Sequence, residues 1–300
     1  MNIDQIRRSV VAVRTSIPEN GFTADALGTE REGSGVVIRD NLVLTIGYLI
    51  TEAEEVWLTR HDGRVVAAHP LAYDMETGFG LVQALGALEL PALALGDGAA
   101  LGVGDEATLV DGNGGHVDTR VVARQEFAGY WEYLLDQAVF TAPAHPSWGG
   151  AALVDPDGRL LGIGSLRLQM SRNGDVEDIN MIVPIHLLNP ILDDLLAHGR
   201  VQKPARPWLG VYSAESNGEV VVMSVAEGSP AEQAGVKRGD IISDIRNEEV
   251  DGLADLYRKV WQSGPAGTEL PIRVVRDGRE AWLRIKSADR ESFLRKPQMQ

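Results

Sequence analysis

Between residues 9 and 184 the apolar positions fall in short runs, SVVAVRT, GSGVVIR, LVLTIG, EVWLT, EATLV and RLLGIGS, punctuated by Gly, Asp and Pro. Runs of this length with close turns predict the strands of a barrel or sandwich. HDGR and PDGR each set Asp-Gly between apolar runs, which predicts hairpin turns needing positive φ. The period then changes. In PIHLLNPILDDLLAHGR the apolar residues 187, 188, 191, 192, 195 and 196 share one helical face, predicting a helix over 184–200 closed by Gly199. VQKPARP, with two prolines and two basic residues, reads as a linker.

The stretch after the linker has its own punctuation. In EGSPAEQAGVKRGDII, Ser229 is placed as an N-cap, Pro230 at the first helical position, Glu232 at the third and Gly235 as a left-handed stop. A second helix is predicted from about Asp251 to Ser263, with Leu253, Leu256, Tyr257 and Val260 on one stripe, and LPIRVVRDGREAWLRIK as a closing hairpin. The predicted organisation is a β-rich body over 1–200, a linker over 201–207, a second unit over 208–288 and a frayed tail over 289–300.

Composition narrows the function classes. The 28 basic and 43 acidic residues leave a formal charge of −15, which disfavours nonspecific binding to nucleic acid or an anionic membrane. With no cysteine the chain has no disulfide, thiolate metal site or cysteine nucleophile. No apolar run approaches the roughly 20 residues that span a bilayer. MNIDQIRRSVVAVRTS lacks the charged start and unbroken apolar run of a secretory signal. The expectation is a cytoplasmic protein, or a periplasmic one where a leader has been removed. The six histidines lack metal-ligand spacing, and DGNGGH lacks the Lys-Ser/Thr ending of a phosphate loop, so no metal and no cofactor is expected; that loop reads as a mobile turn.

The pieces GSGVVI, LVLT, DGRVVAAHPLAYD, LGDGAALGVGD and GGAALVDPDGRLLGI, followed by SPAEQAGVKRGDII, come in an order that resembles the high-temperature-requirement (HtrA) serine proteases. The resemblance covers about residues 8–288. It implies a mainly β fold, a trypsin-like double β-barrel followed by an α+β PDZ domain. Against the family's catalytic motifs, LTIGYLI puts Tyr48 where the histidine base stands, TGFGLV puts Gly78 at the orienting aspartate, and PSWGGAAL puts Trp148 at the nucleophile. Pro146 falls on an oxyanion-hole donor and has no N–H to give. A serine nucleophile needs an adjacent base held by a carboxylate, and tyrosine is a poor base near neutral pH.

The expectation drawn from these positions is a catalytically inactive HtrA-like pseudoprotease, not an enzyme, acting as a scaffold, a chaperone-like binder or a regulator. The alternative is a weak or unconventional serine endopeptidase using Ser147, with His145 two residues away. Trp148 is read as filling the vacated cleft, and GYWEYLL, residues 129–135, as the aromatic edge of the second barrel.

WLGV, residues 208–211, matches the family's carboxylate-binding loop, in which successive N–H groups receive a peptide's C-terminus. The resemblance places a peptide as an added strand beside VYSAE. Its apolar side chain would meet Leu209, Val211, Leu256 and Val260 around Gly210, unless the chain's own tail or barrel fills the groove. The partners implied are peptides or protein C-termini and an active HtrA-type relative, with a homotrimer as the implied assembly and Phe22, in PENGFTADALG, as its anchor.

Overall fold

The computed structural model describes residues 2–172 and 174–295. Six strands, β1 (Val10–Ser16), β2 (Glu30–Arg39), β3 (Leu42–Ile46), β4 (Glu55–Thr59), β5 (Val65–Tyr73) and β6 (Phe79–Ala84), close into a barrel in the order β1-β2-β3-β6-β5-β4. A second barrel is formed by β7 (Glu106–Val110), β8 (His116–Gly129), β9 (Tyr133–Ala142), β10 (Ala152–Val154), β11 (Leu160–Arg172) and β12 (Asp175–Pro184), in the order β10-β11-β12-β9-β8-β7. Closure leaves no free edge among these strands. Each interior is filled by alternate apolar residues: Val11, Val13, Val37, Val43, Leu58 and Val82 in the first, Leu109, Val121, Val139, Leu153 and Ile182 in the second.

Two short helices, α1 (Ile3–Arg7) and α2 (Ala24–Leu27), accompany the first barrel, and α3 (Leu192–His198) follows the second. The helix predicted over 184–200 is shorter than its apolar period suggests. Ile185–Leu187 is a 3-10 turn and the α-helix starts only after Ile191. Pro190 cannot donate to a preceding carbonyl and biases Asn189 away from helical φ/ψ, which divides the stretch. Gly199, at φ 70°, closes it as expected.

By contacts the chain divides into two compact units, residues 1–125, 137–202 and 294–300 in one, and 126–136 with 203–293 in the other. In the second unit the strands β13 (Val211–Ser216), β14 (Glu219–Val225), β15 (Ile241–Ile245), β17 (Glu269–Arg276) and β18 (Arg279–Lys286) run in that order across one antiparallel sheet, and β16 (Glu248–Glu249) pairs with β15. Helices α4 (Pro230–Gln233) and α5 (Leu253–Gln262) complete it. The cap chemistry of α4 is as predicted. Ser229 Oγ accepts the Glu232 N–H at 3.2 Å, Glu232 Oε2 accepts the Gly228 N–H at 2.7 Å, and Gly235 sits at φ 84°. The stripe of α5 buries Leu253, Leu256, Tyr257 and Val260.

The three Asp-Gly-Arg turns differ. At 277–278 both residues have positive φ, 51° and 72°, the geometry of a two-residue hairpin. At 62–63 and 157–158 only the glycine does, at 84° and 82°. The tail holds a 3-10 turn, Arg290–Phe293, and the Arg295 N–H donates to Glu52 at 2.9 Å. The frayed end expected over 289–300 is therefore ordered to residue 295, and 296–300 lie outside the described residues.

Candidate functional site

The first candidate site is where the two barrels meet. Ser34 on β2 donates its N–H to Gly149 O at 2.8 Å, and its Oγ accepts the Gly112 N–H at 2.9 Å. A side chain at Gly150, at φ 76°, would place Cβ 1.9 Å from Ser34 O, so only glycine lets the loop approach this strand.

Tyr48 stands on a 3-10 turn, Gly47–Leu49, that leaves β3. Its hydroxyl donates to Ser165 O at 2.9 Å and receives a hydrogen bond from the Trp148 side chain, and burial raises its pKa. Trp148 and Tyr48 thus pack together as a hydrogen-bonded pair. Gly78 donates its N–H to Asp74 O and accepts from Gly47 through its own carbonyl, closing a turn that Asp74 also caps by accepting from Thr77. Arg31, which sequence reasoning did not single out, clamps the turn carrying Tyr48: its guanidinium donates to Tyr48 O at 2.7 Å, to Thr51 O at 3.1 Å and to Thr23 Oγ1 at 2.8 Å. Burial lowers its pKa to about 10 despite the nearby Glu52. Glu52 also accepts the Phe22 N–H at 2.9 Å, so this segment is tied to the barrel.

The loop before Trp148 is more organised than its sequence suggested. His145 is buried, and its Nδ1 accepts the Ser147 N–H at 3.0 Å. Its Nε2 faces Asp111 Oδ2 at 3.7 Å, and burial holds the imidazole pKa below its usual value even with that carboxylate beside it. The DGNGGH segment is correspondingly fixed, with Asp111 accepting from the N–H groups of Asn113 and Gly115 at 2.9 and 2.7 Å. An imidazole held between a carboxylate and the Ser147 backbone is therefore present. Pro146 and Ser147 are exposed on the same loop.

The second candidate site is the WLGV loop, and it holds a carboxylate supplied by the chain itself. Glu132 Oε1 accepts from Gly210 and Val211 at 2.7 and 3.1 Å, and Oε2 accepts from Leu209 at 3.1 Å. Burial pushes the Glu132 carboxyl up to about 7, outweighing the three N–H donors and Arg290, which pull it down. Gly210 is at φ 83°, and a Cβ there would lie 2.2 Å from Ser229 Cβ. Leu209, Val211, Leu256 and Val260 are buried in one apolar cluster, which includes Leu134.

GYWEYLL is thus not the plain edge of a barrel. It forms the end of the β8–β9 hairpin, and residues 126–136 cluster with the second unit. The available signal was one acid among aromatic and apolar neighbours. Arg206 lies 4.3 Å from the centre of the Trp261 ring, stacked on α5. Among the described residues no cluster of three or more His, Asp or Glu is arranged to hold a metal, and no helix is long and apolar enough to cross a membrane.

Residues 33–163 match the trypsin-like peptidase domain family, and residues 207–286 match the PDZ domain family. The "Serine protease Do-like HtrA" of Bacillus subtilis (strain 168) is 25% identical over 292 residues, covering 86% of this chain and 64% of that protein. The "Periplasmic pH-dependent serine endoprotease DegQ" of Escherichia coli (strain K12) is 26% identical over 265 residues, covering 82% of this chain and 57% of that protein. The chain carries a trypsin-like peptidase domain followed by a PDZ domain, and in this it resembles the HtrA serine proteases.

Among solved structures, "HtrA-type protease AlgW with decapeptide" aligns with a TM-score of 0.56 at 22% identity, covering 99% of this chain and 100% of that one. The "serine endoprotease from Yersinia pestis" aligns at 0.54 and 23%, covering 96% and 98%. The chain spans 64% and 57% of the two curated relatives' lengths.

These relatives overturn one expectation. The reading that the protein is not an enzyme is corrected, because its curated relatives are named serine proteases or endoproteases. That reading rested on the motif positions Tyr48, Gly78 and Trp148 and on Pro146, and held His145 with Ser147 only as the alternative; it did not place Asp111, whose carboxylate faces His145, which in turn accepts the Ser147 N–H. The cytoplasmic expectation likewise finds no support, since several relatives are named as periplasmic.

Proposed function

We propose that this HtrA-like protein recognises peptides through its PDZ unit, taking an extended chain that ends in a free carboxylate. The observation that carries the reading is the carboxylate of Glu132 in the WLGV loop, held by three consecutive backbone N–H groups at 2.7–3.1 Å. Those donors suit any carboxylate presented at the same place. Next to them, the N–H of Ser213 on β13 is directed to a main-chain carbonyl, as strand addition requires. The apolar wall of Leu209, Val211, Leu256 and Val260 favours an apolar terminal side chain. Relatives named as periplasmic support a periplasmic setting.

The test is isothermal titration of the full chain with a decapeptide ending in valine, as free acid and as C-terminal amide. Loss of a charge-assisted set of hydrogen bonds worth about 2 kcal/mol makes the amide roughly 30-fold weaker. Equal affinities for the two forms contradict the reading.

A second reading, serine endopeptidase activity from Ser147, is favoured by the proteases among the relatives and by His145 lying between Asp111 and Ser147. In it the Ser147 hydroxyl attacks the scissile carbonyl carbon while His145 Nδ1, released from the Ser147 N–H, takes its proton; the leaving amine takes that proton as the peptide bond breaks, and water then hydrolyses the Ser147 ester to free the acid product and the hydroxyl. Turnover of a fluorogenic peptide abolished by both Ser147→Ala and His145→Asn supports it. Turnover unchanged by either substitution removes it.

A further inference from the structure

We infer that the β8–β9 hairpin end is a tethered internal ligand of the PDZ loop, and that an external carboxylate-terminated chain binds by displacing it. This rests on the peptide-binding reading proposed above. Four features of the hairpin reproduce what an added peptide offers. The Glu132 carboxylate takes the N–H groups of Leu209, Gly210 and Val211. Two residues earlier, Tyr130 O accepts the Ser213 N–H at 3.0 Å, so the segment pairs with β13. The ring of Tyr130 packs against that of Tyr212 on the same strand, 6.2 Å between centres. Leu134 completes the apolar cluster with Leu209, Val211, Leu256 and Val260.

The hairpin is shaped for this seat. Glu132 adopts φ 59°, a left-handed conformation that costs a non-glycine residue energy and persists only where surroundings fix it. Tyr257 on α5 supplies that fixing: its hydroxyl donates to Gly129 O at 2.7 Å and accepts the Glu132 N–H at 3.2 Å. Arg290 donates to Trp131 O at 3.2 Å, and Arg258 pairs with both Glu126 and Asp136 on the two arms.

Three N–H groups that hold Glu132 cannot hold a second carboxylate at the same time. Occupancy by the hairpin therefore lowers the apparent affinity for any external terminus by the fraction of molecules in which the loop is free. The proposed partner class is a C-terminal peptide able to replace all of these contacts together, a carboxylate, a strand and an apolar side chain. A lone small carboxylate such as acetate replaces only the first.

The test measures binding of a fluorescein-labelled decapeptide ending in valine to the full chain, as wild type, Glu132→Ala and Glu132→Gln. Displacement predicts at least ten-fold tighter binding to Glu132→Ala, which presents no acceptor to the loop. Measurable binding that is equal in wild type and both variants overturns the inference and leaves the peptide-binding reading standing; no binding to any of the three overturns both. Amide exchange in unliganded wild type gives a check that needs no variant. Protection at Leu209, Gly210 and Val211 comparable to the surrounding sheet is expected, and exchange at unprotected rates there overturns the inference.

Discussion

Replacing Tyr257 with phenylalanine isolates one hydroxyl. The ring is fully buried and stacks on Trp261 at 5.6 Å, contacts that phenylalanine keeps. What is removed is a bond donated to Gly129 O and one accepted from Glu132 N. Each such bond contributes about 0.5–1.5 kcal/mol net, and a buried partner left unsatisfied costs about 1–3 kcal/mol. The 3.2 Å contact is the weaker of the two, so a combined loss of about 2–3 kcal/mol is reasonable.

Both orphaned groups belong to the hairpin and are rehydrated when it lifts, so the loss falls on seating of the hairpin rather than on the whole fold. Two to three kcal/mol corresponds to roughly 30- to 150-fold more frequent opening. Amide exchange read residue by residue is the assay, with residues 130–134 and 209–211 as reporters and β14 as the internal reference. Exchange that accelerates equally in β14 and in the hairpin, or does not change, refutes the reasoning.

Two further outcomes follow from the geometry. Glu132 is raised from an ordinary 4.5 to about 7, with Tyr257 of α5, Tyr212 of β13, Arg290 and the neighbouring Tyr130 around it. A carboxyl raised by seating favours the seated state fully below about 4.5, and that contribution is lost as pH rises through about 7. The opening free energy should therefore fall by about 3 kcal/mol between pH 4.5 and 8 in wild type and stay flat in Glu132→Gln; identical pH profiles contradict this. At the barrel junction, Gly150→Ala brings a Cβ 1.9 Å from Ser34 O, whereas Gly63→Ala, at φ 84°, meets nothing within 4 Å. Urea unfolding should show a loss of about 1–2 kcal/mol at Gly63 and clearly more at Gly150, and equal losses would argue against a backbone clash there.

What the sequence disclosed was the chemistry that acts over a few residues. Ser229, Pro230, Glu232 and Gly235 mark α4 because capping depends only on neighbours within one turn, and the α5 stripe is legible because burial on one face imposes a period. The helix predicted over 184–200 failed at Asn189-Pro190, where a local rule on proline overrode the apolar period. Contacts between distant residues were hidden. Glu132 reaches Leu209 across 77 positions and Asp111 approaches His145 across a strand pair, and neither has a motif to announce it. The non-enzyme reading shared this weakness, since matching motif positions says nothing about groups that the fold brings in from elsewhere.

The most direct measurement is a crystal structure of the full chain with a decapeptide ending in valine. The account predicts the terminal carboxylate within hydrogen-bond distance of the N–H groups of Leu209, Gly210 and Val211, with Glu132 withdrawn from them. A peptide bound elsewhere while Glu132 keeps all three donors would contradict it.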